Sequence, residues 1–98
     1  MGESFYKSKR WKRLRAAVLA RDGYKCAESA RYGKNVPANT VHHIFPMADY
    51  PQYRWESWNL ISLSQKVHDE MHDRTSGELT DKGRKLMERT ANKRGIKI

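Results

Sequence analysis

All four histidines of the chain, His42, His43, His68 and His72, fall between Thr40 and His72, and Asn59 stands between the two pairs. The window opens with T-V-H-H-I-F-P and closes with W-N-L-I-S-L-S-Q-K-V-H-D-E-M-H. Imidazole is the commonest metal ligand and the side chain best suited to act as a base near neutral pH. Taken singly, each of these histidines reads as an ordinary polar residue on a strand end or a solvated helix face. Taken together, in one third of a small basic protein, they call for a fold that gathers them around a chemical task.

The rest of the composition narrows that task. Ninety-eight residues make one domain. A chain this short buries a modest share of its surface and is marginally stable. Apolar residues are 38% and charged residues 32% of the chain, so a bound metal would also help to hold the fold. Lys and Arg exceed Asp and Glu by nine and the pI is near 9.9. An anionic partner follows, nucleic acid first and an acidic membrane surface second. No apolar run is long enough to span a bilayer, and no secretory leader pattern is recognised. The single cysteine, Cys26, excludes an internal disulfide and suits a reducing cytoplasm. No internal repeat or low-complexity segment is present.

Residues 1–7 read as a poorly ordered lead-in. Ser8 is a plausible N-cap for a helix over about 9–21, with Trp11, Leu14, Ala17 and Val18 at helical spacing, and Asp22-Gly23 stops it. Its first half is dense in cations without an acidic neighbour: Lys7, Lys9, Arg10, Lys12, Arg13 and Arg15. Like charges four apart weaken a helix, which points to phosphate outside the chain as the compensating charge. Residues 24–38 read as a loop with Gly33 and Pro37 as turn residues. A strand over 39–42 is expected, with His42 closing it and His43 leading into the loop, because neighbouring strand residues point to opposite faces. Pro46 ends the pairing. The connection from Phe45 to Trp58 carries Phe45, Tyr50, Tyr53, Trp55 and Trp58, and reads as a loop packed onto the body; stacking on bases is the second reading. Leu60–Leu63 is a second short strand, and Ser64 caps a helix over about 65–74 that buries Val67 and Met71. On it, His68 and His72 share a face four residues apart, a spacing that can chelate one ion. Thr80 caps a last helix over about 81–93 that packs through Leu79, Leu86 and Met87. Its outer face and tail form a second basic surface from Lys82, Arg84 and Lys85 to Lys97.

A strand ending in His42-His43, a loop, Asn59 at the second strand, then a helix with His68-x-x-x-His72 resembles the ββα-metal hairpin of the HNH endonuclease family. The wider wording agrees: F-Y-K-S-K-R-W-K-R-L-R-A-A-V-L-A-R-D-G-Y-K-C, V-H-H-I-F-P, W-N-L-I-S-L and H-D-E-M-H resemble small stand-alone HNH proteins of bacteriophages and bacterial genomes, over residues 5 to 88 or so. The resemblance implies an α+β fold: a hairpin-helix core over about 39–74, also called the His-Me finger, with flanking N-terminal and C-terminal helices in a single domain 1–98. It implies a metal-dependent DNA endonuclease or nickase in the cytoplasm of a bacterial host. His43 would be the general base, Asn59 would hold the loop bearing it, and His42 and His68, with His72 as a third, would be the metal ligands. Products with 5′-phosphate and 3′-hydroxyl ends are expected. One divalent ion is expected, and three imidazoles favour zinc, nickel or manganese over magnesium. Relatives usually carry two Cys-x-x-Cys pairs for a structural zinc. Here those positions read Cys26, Ser29, Ser64 and Val67, so no structural zinc is expected; Cys26 and Val67 should fill the space, and Ser29 and Ser64 should cap backbone groups. DNA comes before RNA as partner, with phage packaging proteins as an implication of the family alone. Two other readings stand beside this one: a nucleic-acid-binding module that keeps the fold without cleaving, and an unrelated metal-binding regulator.

Overall fold

Two short strands carry the centre of the fold. Thr40–His43 (β1) pairs antiparallel with Leu60–Leu63 (β2), in the register Thr40↔Leu63, Val41↔Ser62, His42↔Ile61 and His43↔Leu60. The computed structural model describes residues 2–98. Neither strand alternates buried with exposed positions. Val41, His42, His43, Leu60, Ser62 and Leu63 are all buried, because helices pack against the hairpin on both sides. His43 lies within β1 and does not begin the loop as expected. Pairing continues one step further, with the Ile44 amide donating to the Asn59 carbonyl at 2.8 Å, so Pro46 comes too late to release His43.

The helices are Gly2–Lys7 (α1), Lys9–Arg21 (α2), Ala27–Ala30 (α3), Gln65–Asp69 (α4) and Asp81–Arg94 (α5). With β1 and β2, α4 completes a ββα core, and the whole is a small α+β fold. The lead-in is helical from residue 2, contrary to expectation. Phe5 is the reason: it is buried, with its ring centroid 5.1 Å from Trp11 and 4.4 Å from Trp55. Ser8 separates α1 from α2 by using its hydroxyl twice. It donates to the Phe5 carbonyl at 2.7 Å and accepts from the Trp11 amide at 3.1 Å, which satisfies an otherwise orphan donor of α2. Along α2 the buried residues are Trp11, Val18 and Leu19; Ala17 is exposed, and Leu19 takes the place expected for it.

The end of α2 is tied to β2. Gly23 adopts φ 64°, the left-handed conformation that costs glycine little. The Asp22 carboxylate accepts from the Ser62 amide at 3.0 Å and from the Arg21 guanidinium, which also donates to the carbonyls of Ser57 and Leu60. Burial alone would push the Asp22 carboxyl up; the bonds from Arg21 and Ser62 outweigh it and hold the group below its ordinary range. The following loop is more structured than a plain loop. It is pinned at its base by the Cys26 amide donating to Val36 at 2.7 Å and the Ala38 amide donating to Tyr24 at 2.8 Å, and α3 forms inside it. Cys26 is fully buried and receives a hydrogen bond from the Ser29 hydroxyl at 3.2 Å. Ser29 thus partners the sulfur, not a backbone group as expected, whereas Ser64 accepts from the Val67 amide at 3.2 Å and caps α4. Val67 is half-buried.

The helix expected over 65–74 ends at Asp69. Backbone groups beyond it pair elsewhere: the Thr80 amide donates to the Met71 carbonyl at 2.9 Å, the Thr80 hydroxyl to the Glu70 carbonyl at 2.6 Å, and the Asp73 amide to the Glu78 carbonyl at 2.7 Å. A turn over 73–79 therefore competes for the carbonyls that a longer helix needs, and His72 sits in an isolated bridge with Leu79. Thr80 then caps α5 by accepting from the Gly83 amide at 3.2 Å, and α5 buries Gly83, Leu86 and Ala91, with Met87 half-buried. The buried Glu28 joins α3 to α5 by accepting from Arg31 and Arg89.

Gly83 is where α5 crosses the chain most closely. A Cβ there would stand 2.5 Å from the Met71 carbonyl oxygen and 2.7 Å from Leu79 Cδ2. In an open helix a Gly→Ala change adds roughly 1 kcal/mol of helix propensity. Here overpacking against a backbone oxygen opposes it, at roughly 1–3 kcal/mol, and dominates because a carbonyl cannot swing aside like a side chain. Gly83→Ala is expected to lower the melting temperature, by about 4–8 °C for each kcal/mol lost. A raised melting temperature in calorimetry would show that the crossing is not tight.

Candidate active site

Successive residues of a strand face opposite ways, yet His42 and His43 both line one cleft of about 780 Å³ that also takes in His68 and His72. The cleft lining continues over Pro46 and Met47, where the chain leaves β1, and so reaches both faces of the strand end. The two rings meet different surroundings within it.

His42 faces the helical pair. Its ring centroid is 5.4 Å from that of His68 and 5.4 Å from that of His72, and the last two are 6.4 Å apart. His42 is 2% exposed, and its Nε2 is buried without a hydrogen-bond partner. A buried polar nitrogen left unpaired is costly, and a cation is the partner this surrounding offers. Burial, then the neighbouring imidazoles, push the His42 pKa down to about 3. Burial, then His72, lowers that of His68. The neutral form is the one that ligates metal. The His72 Nδ1 is 3.1 Å from the Gly77 carbonyl. A carbonyl only accepts, so Nδ1 is the donor in this bond and Nε2 is the nitrogen left for another partner.

The ring spacing approaches what one ion needs. With a metal–nitrogen bond of ~2.1 Å, ring centroids lie roughly 3.2 Å from the ion and ~5.2 Å from one another in tetrahedral order. Two of the three separations are close to this, and the third is about 1 Å wider. Among the described residues no group of three or more His, Cys, Asp or Glu side chains stands in the geometry that holds a metal ion; the rings are gathered near one another and are not in coordinating position. The α4 boundary does not disturb the gathering, although His68 and His72 are not on one continuous helix.

His43 is placed differently. It stacks on Trp11 with centroids 5.3 Å apart and planes 16° from parallel, while Phe5 stands tilted at 5.6 Å and Tyr6 edgewise at 6.3 Å. Its Nε2 is 3.2 Å from the Arg54 carbonyl, so Nε2 carries the proton and Nδ1 is the basic nitrogen. Burial lowers the His43 pKa, and the Arg54 carbonyl opposes part of that; the ring is neutral at pH 7.

Asn59 is fully buried at the start of β2. Its Oδ1 accepts from the Phe45 amide at 2.7 Å, and its Nδ2 donates to the carbonyls of Phe45 and Tyr53, both at 3.2 Å. It thereby clamps the two ends of the aromatic loop next to Arg54. That loop is packed, with Phe45 buried among Tyr50, Tyr53 and Trp58.

The six basic residues divide. Lys7, Lys9, Lys12 and Arg13 are exposed, and among the described residues none forms an ion pair. Arg10 lies over the Trp55 ring at 4.0 Å, and Arg15 donates to the Asn39 carbonyl at 2.6 Å. The second basic surface is partly neutralised, since Lys82, Arg84 and Arg89 pair with Glu70, Asp81 and Glu28, while Arg94 stacks over Trp58 at 4.2 Å.

Three contributors were not visible in the sequence. Trp11 reads as a core residue and also stacks on His43. The Arg54 carbonyl carries no side-chain signal at all. Tyr6 enters the cleft wall through α1, which the composition of residues 1–7 does not suggest.

No family model and no curated protein matches the chain. Among solved structures it is similar to the HNH endonuclease of deep-sea thermophilic bacteriophage GVE2, crystallised with manganese ion. The two are 38% identical, with a TM-score of 0.68, over 69% of this chain and 74% of that one. With its ββα hairpin and clustered histidines, the chain belongs to the HNH endonuclease family.

Proposed function

We propose that the protein is a metal-dependent endonuclease or nickase that hydrolyses DNA phosphodiester bonds, with His43 as general base and His42, His68 and His72 as ligands of one divalent ion. The observation that carries this reading is the division made by β1. One imidazole with an orphaned nitrogen stands beside two others, and its chain neighbour lines the same cleft with one nitrogen held by a carbonyl and the other free of any partner. A purely structural metal site has no use for the second arrangement.

Hydrolysis begins with a water that loses a proton to His43 Nδ1. The oxygen attacks phosphorus, the bond to the 3′ oxygen breaks, and the leaving oxygen takes a proton from solvent, which yields 5′-phosphate and 3′-hydroxyl ends. The Arg54 carbonyl keeps Nε2 protonated and stabilises the imidazolium as it forms, as an orienting acceptor does for other catalytic histidines. Asn59 positions that carbonyl by clamping the loop and does not touch substrate. The divalent ion, when bound, neutralises charge on the phosphoryl and leaving oxygens. The manganese of the GVE2 enzyme supports a divalent ion of this class. The exposed cations of α1 and α2 hold backbone phosphates without reading sequence. α2 also carries Trp11, so the helix that holds DNA is stacked directly against His43.

In a supercoiled-plasmid assay with Mg, Mn, Ni or Zn, His43→Ala is expected to lower cleavage by about 10²–10⁴-fold while binding of metal and DNA persists. Wild-type protein that cuts with none of these ions would replace the enzyme by the non-cleaving nucleic-acid-binding module. Titration calorimetry with Mn or Zn should find one ion per chain, and His42→Ala, His68→Ala and His72→Ala should each weaken it strongly. Stoichiometric binding retained in all three variants removes the ligand assignment. For α2, Lys12→Gln combined with Arg13→Gln should flatten the plot of log affinity against log salt by about 2, since each phosphate contact contributes ~0.9. An unchanged slope would take DNA away from this helix.

A further inference from the structure

The cleft that holds the histidines is poor in cations for a site meant to receive a phosphodiester. Its lining includes two carboxylates, Asp49 and Glu78, and one permanently charged cation, Arg84. Arg84 comes from the first turn of α5, and Tyr6 of α1 lines the same cleft. We propose that Arg84 is a substrate-binding residue that takes a backbone phosphate of the DNA strand in the active cleft; this rests on the hydrolase reading above.

The guanidinium is held and still has capacity. Nη1 donates to the Leu79 carbonyl at 3.0 Å and Nη2 donates to the Asp81 carboxylate. Arginine has five N–H donors in a rigid fork, so three remain after these two bonds. The Asp81 side chain is 82% exposed and that of Arg84 52%. An ion pair this open to water is weak and salt-screened, and a phosphate oxygen can replace the carboxylate with a bidentate bond. The Leu79 carbonyl bond is retained through that exchange. It keeps the fork beside the turn that also positions His72 through the Gly77 carbonyl. One short segment, 77–84, thus sets both a histidine of the cluster and the phosphate contact.

The test uses the full-length protein with a fluorescein-labelled DNA duplex. Anisotropy is measured in EDTA, where nothing is cut, and cleavage is measured separately with Mn. Arg84→Gln should weaken duplex binding and flatten the salt plot by about 0.9. With Mn it should slow cleavage at least tenfold. Lys85→Gln removes the same charge from the next, exposed position outside the cleft, and should stay within twofold of wild type in both assays. Asp81→Asn breaks the same ion pair but leaves the guanidinium free, so it should bind DNA at least as tightly as wild type. Losses in Asp81→Asn equal to those in Arg84→Gln would show that the pair only braces α5, and would overturn the proposal. Equal effects of Arg84→Gln and Lys85→Gln, or none from either, would overturn it too. Wild-type protein that fails to cut while Arg84→Gln still weakens binding would remove the hydrolase reading and leave the phosphate contact standing.

Discussion

The side-chain amide of Asn59 extends the hairpin past the point where backbone pairing stops. The last backbone bond of the ladder runs from Ile44 to Asn59, and the next amide, that of Phe45, is met by the Asn59 side chain. Its Nδ2 reaches the carbonyls of Phe45 and Tyr53 on the two arms of the connecting loop. Its oxygen accepts one bond and its nitrogen donates two in a fully buried place, where an unmet polar group is costly. The carbonyl that orients His43 lies next to this clamp. Arg54 follows Tyr53, and the Arg54 carbonyl selects which nitrogen of His43 is basic.

A short chain that buries His42, His43, Asn59, Ser62 and Glu28 has a small apolar interior to offset them. The structure meets this by giving nearly every buried polar group a partner from a distant element. Ser62 and Asp22 join β2 to the end of α2, Glu28 joins α3 to α5, and Asn59 joins the loop to itself. These bonds span 40 to 61 residues in two of the cases, so they define tertiary arrangement and not local structure. The exception among the described residues is Nε2 of His42, whose ring centroid stands 5.4 Å from those of His68 and His72. A polar atom left without a partner is rare in a fold that otherwise supplies them.

Local chemistry made much of the architecture legible. Ser8, Ser64 and Thr80 cap the helices they were expected to cap, because a short hydroxyl side chain before a helical run satisfies free amides whatever the rest of the chain does. The two strands and their order followed from composition and from the resemblance, and the structural likeness agrees. What escaped were features set by partners far along the chain. The helix over residues 2–7 forms because Phe5 finds Trp11 and Trp55. The helix at 65–69 stops early because the turn before α5 takes its carbonyls. His43 stays in β1 because Asn59 prolongs the ladder.

The order and identity of His42, His43, Asn59, His68 and His72 are sequence properties, and they were enough to name the family and the imidazole set. Period-two alternation along a strand is likewise local, and it requires the doublet to split between two environments. Which environment each ring receives is not local. The tautomer of His43 depends on a carbonyl eleven residues away, and the orphaned nitrogen of His42 depends on two rings brought in from beyond β2. Hydrogen-bond partners and burial belong to the packed chain, and only they divide four identical imidazoles into a gathered set of three and a fourth held by a backbone carbonyl.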